Sequence, residues 1–313
     1  MISVPEVTIE RIAVAEGHGE SLRDLALRAV SLILNTEGEG SFSPGDSGDV
    51  APSPHQDIGG VIVATFSNPS RFPSLAIEIA ALLGLPSSVP AFDLQLACSA
   101  YPYALYLGSR IAADTGKKVL IIDGDVQSRL VDPSDHDTGS IFSDAVTATV
   151  VQGAGCGVQG AGQSYFDFYS RFNDEALACG ESGPIRMKGF DVFAFVATDV
   201  SRFLKEFITS LNNSSLFTLH SSLLFVPHQA NPYMIRQLAK SIGLSDQLLT
   251  LDEAKKNPGS CSIPMTLAAH PECRGKNVLL AGFGAGYSAA ASLVKISDEF
   301  KVGDKIKRMS NEN

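Results

Sequence analysis

No tryptophan occurs among the 313 residues, and cations are scarce, with 24 Lys and Arg against 34 Asp and Glu, a formal net charge of -10. Such a chain repels a phosphate backbone at long range, so nucleic acid is not an expected partner. The five cysteines (98, 156, 179, 261 and 273) are odd in number and show no CxxC spacing, which argues against a disulfide framework and a zinc ribbon and for a reducing cytoplasm. An export signal needs a basic start and an apolar core, and the first residues instead carry Glu6, Glu10 and Glu16. No apolar run reaches spanning length; the best, 278–294, is interrupted by three Gly and two Ser, so no membrane segment is expected. What is present, 44% apolar residues with 28 Gly and 16 Pro, is the composition of a globular protein of one large or two ordinary domains.

Short apolar runs alternate with stretches of helical period, the pattern of an α/β protein with buried strands. Strands are expected at 61–65, 91–96, 119–123, 145–151, 223–226 and 278–281. Helices are expected at 20–34, 73–83, 99–115, 191–211 and 232–242, two of them stopping at Gly84 and Gly243. The order of elements repeats. GGVIVATFSNPS with IEIAALLGL resembles SSLLFVPHQANP with IRQLAKSIGL, and ACSAYPYAL with KKVLIIDGD resembles SCSIPMTLA with KNVLLAGFG. From Ile62 to Cys98 is 36 residues and from Leu224 to Cys261 is 37. An internal duplication with a period of roughly 160 residues accounts for this. The expected division is a first half, 1–151, a loop or cap insertion, 152–183, and a second half, 184–313.

Cys98 follows the apolar run FDLQLA and opens a helical stretch, where unpaired N–H groups and the helix dipole favour a thiolate nucleophile. The other reading is a small buried hydrophobe. His228, in VPHQAN at a strand end, can act as a base, donate to an oxyanion, or satisfy the core. Asn257 precedes Pro258 and Gly259 in a turn. Gly282, Gly284 and Gly286 follow the strand VLLA without the full dinucleotide spacing. Asp123 and Asp125, in IIDGDV, have no His or Glu cluster beside them, so they read as a strand-end turn and no metal site is expected.

The motifs PAFDLQLACSAYPYAL, DPSDHDTGSIF, VPHQANPYMIRQLAKSIG, NPGSCSIP and GFGAGYS resemble the β-ketoacyl-acyl carrier protein synthase III family of the thiolase superfamily, from about Thr8 to Ile296. The resemblance implies a thiolase-like, five-layered αβαβα fold built from two duplicated halves. It marks Cys98 as the acyl-accepting nucleophile and Cys261 as structural. His228 and Asn257 become donors to an extender thioester carbonyl, and the backbone of Cys98, Gly284, Ala285 and Gly286 an oxyanion hole. It implies decarboxylative condensation with a malonyl thioester in fatty acid or polyketide-type biosynthesis, without metal or other cofactor. It further implies a homodimer with Phe72 at the partner's acyl pocket, and acyl carrier protein docking at Arg236 and Lys240. The alternatives are ester- or amide-forming acyl transfer from Cys98, and a non-catalytic partner subunit. Departures stand beside the match: the family's first strand and coenzyme A-contacting segment lack a counterpart, His136 replaces an Arg, and Ala194 and Tyr233 replace basic residues.

Overall fold

The computed structural model describes residues 1–17, 19–34, 55–132, 134–154, 162–180, 183–213, 223–253 and 255–303. The first half comprises β1 (Ile2–Pro5), β2 (Val7–Glu16), α1 (Leu22–Leu34), β3 (Ile58–Ala64), α2 (Leu75–Leu82), β4 (Ala91–Leu94), α3 (Ala100–Thr115), β5 (Lys118–Asp125), α4 (His136–Gly139) and β6 (Ala145–Gly153). There follow β7 (Gln163–Ser170), β8 (Leu177–Cys179), β9 (Ile185–Met187), α5 (Gly189–Phe195), α6 (Ser201–Asn213), β10 (Leu224–Pro227), α7 (Pro232–Ile242), α8 (Ser262–Ala269), β11 (Asn277–Gly284) and β12 (Ser288–Val302). The helix expected at 191–211 is α5 and α6, joined by one π turn, Val196–Val200.

The duplication is visible in the strand pairing. In the first half β4, β3 and β5 lie side by side in parallel, β6 runs antiparallel to β5, and β2 pairs antiparallel with β6 at the end of the row. In the second, a single parallel bridge from Leu248 to Phe225 stands where β4 stands, β10 and β11 are parallel, β12 is antiparallel to β11, and β7 follows β12 with β1 antiparallel on its outer side. One sequence expectation changes here. Residues 163–170, placed in a loop or cap insertion, are a strand of the second sheet, because the aromatic alternation YFDFY supplies a buried face. β2 holds in the first half the place that β7 holds in the second. The far end of β12 then pairs in parallel with β2, joining the two sheets.

β5 shows why these runs become central strands. Val119 and Ile121 face a core shared with α3, α8 and β11, whereas Leu120 and Ile122 face a second core under α1 and α2. Both faces are apolar, as burial between helical layers demands. β11 repeats the arrangement, with Val278 and Leu280 turned to the shared core and Leu279, Ala281 and Phe283 turned to a third core under α6 and α7. The layers are therefore helix, sheet, helix, sheet, helix, with α3 and α8 in the middle. Among the described residues no helix is long and apolar enough to cross a membrane.

Candidate active site

Cys98 lies in the short 3₁₀ turn Ala97–Ser99 that joins β4 to α3. Ala97 is held at φ 44°, a strained value for a residue with a β-carbon. Two contacts fix the turn: Ser99 Oγ donates to the Leu96 carbonyl at 2.8 Å and pairs with Ser288 Oγ at 2.7 Å. Beneath it lies the end of β11. A β-carbon on Gly284 would stand 2.9 Å from Cys98 Cβ and 3.5 Å from Sγ, and one on Gly282 would stand 2.9 Å from Ser99 Cα. Glycine is required here so that the Cys98 turn can rest on the strand.

His228 leaves the end of β10 with its N–H on the Ala281 carbonyl at 2.7 Å, so β11 supports it as well. Its ring meets Phe283 edge to face, and Nδ1 lies 2.9 Å from Ser262 Oγ at the start of α8. Asn257 is bracketed by main chain, its N–H on the Ile141 carbonyl and its own carbonyl accepting from Ser143 N–H and Gln127 Nε2. Its side-chain Oδ1 accepts from Gly259 N–H at 2.8 Å, which leaves the amide NH2 as the free, donating end. The Gly259 backbone also acts on the imidazole of His228, favouring its charged form, an effect that burial outweighs. The end of β11 and Gly259 thus tie Cys98, His228 and Asn257 into one buried constellation, with exposures of 6%, 2% and 8%. The turn carrying Ala285 and Gly286 is attached to it by Ser288 Oγ, which lies 3.1 Å from the Ala285 carbonyl.

Burial sets the protonation of these groups. The imidazole of His228 is brought down to about 4 by desolvation, so it is neutral at pH 7. The Cys98 thiol is pushed up to about 12, first by desolvation and then by the carboxyls of Asp125 and Asp123. The thiolate expected from the helix start is therefore disfavoured: burial and nearby acids outweigh the dipole and hold the thiol protonated at neutral pH.

Asp123 and Asp125 are not a turn. Both lie in β5 and are buried, at 0% and 1% exposure. Asp125 Oδ1 accepts from Thr65 Oγ1, Phe66 N–H, Ser67 N–H and Ser67 Oγ, and so anchors residues 65–67 after β3. The available signal was their spacing: they continue the inward-facing series Val119 and Ile121.

The other expected residues lie apart from this centre. Phe72 is 84% exposed, so it is no ordinary core residue. Arg236 and Lys240 are exposed one turn apart on α7; Arg236 is paired with Glu253. Arg236 and Glu253 also line a cleft of about 240 Å³, with Gln229, Asn231, Lys256 and Asn257. Tyr233 is exposed and stacks on Phe193. The side chain of His136 lies outside the described residues. Among the described residues, no group of three or more His, Cys, Asp or Glu is placed to hold a metal ion.

The family description 3-oxoacyl-[acyl-carrier-protein (ACP)] synthase III matches residues 92–168, and its C-terminal counterpart matches 217–296. A β-ketoacyl-[acyl-carrier-protein] synthase III of Shewanella oneidensis is 34% identical over 260 residues, 76% of this chain and 77% of that protein. The crystal structure of a 3-oxoacyl-(acyl-carrier protein) synthase from Burkholderia xenovorans superposes with a TM-score of 0.76 at 22% identity, covering 97% of each chain. That of the priming β-ketosynthase from the R1128 polyketide biosynthetic pathway gives 0.66 at 25% identity, over 77% of this chain and 76% of the other.

Proposed function

Because the chain belongs to the 3-oxoacyl-[acyl-carrier-protein] synthase III family of condensing acyltransferases, we propose that it joins an acyl group held on Cys98 to the two-carbon unit of a decarboxylating malonyl thioester. The observation that carries this reading is the convergence of a buried thiol, a neutral imidazole and an outward-turned amide on the end of β11 and Gly259.

In the first step Cys98 Sγ attacks the carbonyl of an acyl thioester. The oxyanion is held by the backbone N–H of Cys98 with those of the 284–286 turn, and the carrier thiol departs with the proton that Sγ gives up. In the second, a malonyl thioester binds with its carbonyl oxygen toward His228 and the Asn257 amide. Loss of CO2 leaves an enolate on that oxygen, stabilised by two preorganised neutral donors in a dry site. When Ser262 Oγ donates a hydrogen bond to Nδ1 of His228, the ring N–H is on Nε2, from which it donates to the substrate oxygen. The enolate carbon then attacks the acyl carbonyl, the C–S bond to Cys98 breaks, a 3-oxoacyl thioester leaves, and the released thiolate takes up one proton from solvent to restore the thiol. Protein groups and thioesters suffice for every step, and the acyl carrier protein is the proposed thioester partner.

Intact-mass spectrometry after exposure to acyl-coenzyme A and acyl-carrier thioesters tests the first step. A mass increase of one acyl group is expected, retained in Cys261→Ala and absent in Cys98→Ala; the opposite pattern would reverse the assignment. Product analysis with malonyl thioester tests the second, since an ester or amide product in place of a 3-oxoacyl thioester would exclude condensation.

A further inference from the structure

The strands that meet at Cys98 are joined differently in the two halves. Residues 126–144 link β5 to β6, whereas the corresponding link from β11 to β12 is only residues 285–287. This short turn is tied to the Cys98 turn through one hydroxyl, since Ser288 Oγ lies 2.7 Å from Ser99 Oγ and 3.1 Å from the Ala285 carbonyl. Its backbone is demanding. Gly286 has φ 72° and Tyr287 φ 50°, a left-handed region that a residue with a β-carbon adopts only where its surroundings enforce it. Ala285 and Gly286 offer nothing beyond a methyl group, so Tyr287 is the turn's one side-chain handle.

Three residues hold that handle. The Tyr287 ring stacks on Phe195 with centroids 4.2 Å apart and planes 7° from parallel, and the guanidinium of Arg171 lies over it, 5.0 Å from its centroid. The hydroxyl donates to the Asp191 carbonyl at 3.3 Å, and the Tyr287 carbonyl accepts from Arg171 N–H at 3.0 Å. Arg171 is fixed in turn by Asp199, whose carboxylate lies 3.0 Å from it and 2.8 Å from Arg202. Phe195 ends α5 and Asp199 lies in the π turn that follows, so one irregular stretch of helix serves both the ring and the cation. Packing accounts for a stacked ring. It does not account for an exposed arginine, bonded at main chain and side chain, over a tyrosine in a strained conformation.

We propose that Tyr287 is a positioning residue for the oxyanion site: Phe195, Arg171 and Asp191 clamp its side chain, and the clamp keeps the 284–286 turn in the conformation whose N–H groups face the acyl oxygen. The inference rests on the proposed acylation of Cys98 with its oxyanion at that turn. With the clamp loosened, Tyr287 relaxes toward an ordinary φ and the turn's N–H groups leave the oxygen, while the sulfur stays where Ser99 and β11 hold it. Reactions of Cys98 that place charge on a carbonyl oxygen therefore suffer, and reactions that do not are spared.

Two reagents separate these cases. S-acetyl-N-acetylcysteamine acetylates the sulfur through a tetrahedral oxyanion, whereas iodoacetamide alkylates it by displacing iodide. The thioester carries no phosphate, so a change at Arg171 cannot act through one. Both rates at Cys98 are read by peptide mass spectrometry in the native protein, Tyr287→Ala, Tyr287→Phe and Arg171→Gln. Acetylation at saturating thioester is expected to fall at least about tenfold in Tyr287→Ala, short of the roughly hundred- to thousandfold of losing a donor outright. In Arg171→Gln it should fall about two- to fivefold, the size of one exposed cation–π contact. Tyr287→Phe, which keeps the ring, should regain most of the rate. Alkylation, and the thioester concentration giving half the maximal rate, should stay at their native values throughout. Native-rate acetylation in Tyr287→Ala, or equal losses in both reactions, would overturn the proposal. If Tyr287→Ala fails to fold, Arg171→Gln, altered at an exposed side chain, decides by the same comparison. A native protein that is alkylated but never acetylated would instead count against the proposed function itself.

Discussion

Cys98 and Cys261 stand at equivalent helix starts, and their surroundings separate them. Cys261 is fully buried, its thiol lies within bonding distance of the Ala145 and Pro258 carbonyls, and burial with the charges of Asp123 and Asp125 raises it well above the thiol range. Cys98 keeps a small opening and lies against two glycines. In the proposed mechanism His228 and Asn257 act one step later than the thiol, so His228→Ala and Asn257→Ala should keep acylation of Cys98 while losing decarboxylation of malonyl thioester by roughly a hundred- to a thousandfold. Release of labelled CO2 at the native rate by both variants would exclude the mechanism. The pH dependence of this step has a definite sign. The imidazole must be neutral, its folded value lies near 4 against an ordinary 6.5, and CO2 release should therefore be insensitive to this group above about pH 5 and fall as pH drops through 4. Cys98, His228 and Asn257 were legible because each sits in a distinctive local motif. The neutral state of Cys98 and the burial of Asp123 were not, because both depend on what residues distant in sequence place around them.

At the scale of elements, the end of β11 does the supporting. Its carbonyl at Ala281 holds His228, and Gly284 lets the Cys98 turn approach. Gly284→Ala should therefore displace the nucleophile, because its methyl would need the space of Cys98 Cβ, 2.9 Å away. A fall in the acylation rate of at least about tenfold is expected with the fold retained, checked by acyl-enzyme mass and circular dichroism. Central strands and most helices were readable from continuous apolar runs and from caps such as Gly243, which ends α7 at φ 76°. β2 and β12 were not readable. Ala, Ser and charged residues interrupt β12, and its burial comes from neighbours on both sides rather than from its own hydrophobicity. β7 carried a strand signal in its aromatics but lay in a glycine-rich stretch.

At the scale of the whole molecule, the exposed Phe72 and the sheet edge at β4 leave one flank of the first half unpaired by the described chain. A homodimer is expected by light scattering, with Phe72→Ala altering acyl-chain preference; a stable monomer of full activity would remove the idea. The substrate side is expected to favour delivery on acyl carrier protein over free coenzyme A thioester. An acidic carrier needs a basic landing place on a chain of net charge -10, and Arg236 and Lys240 offer one on α7. Arg236→Glu should weaken carrier-dependent acylation several-fold, whereas higher kcat/KM for acyl-coenzyme A and no effect of the variant would contradict it.

The long β12 has a consequence for how the protein is made. One side of β2, near the start of the chain, is covered only when residues 295–302 arrive. A ribosome reading from the first codon exposes that strand long before its neighbour has been synthesised. Until then the nascent first half presents an open edge, the kind of surface that invites pairing with other chains. The two halves, alike in architecture, thus cannot mature independently, and premature termination before β12 should yield aggregate rather than a shorter folded protein.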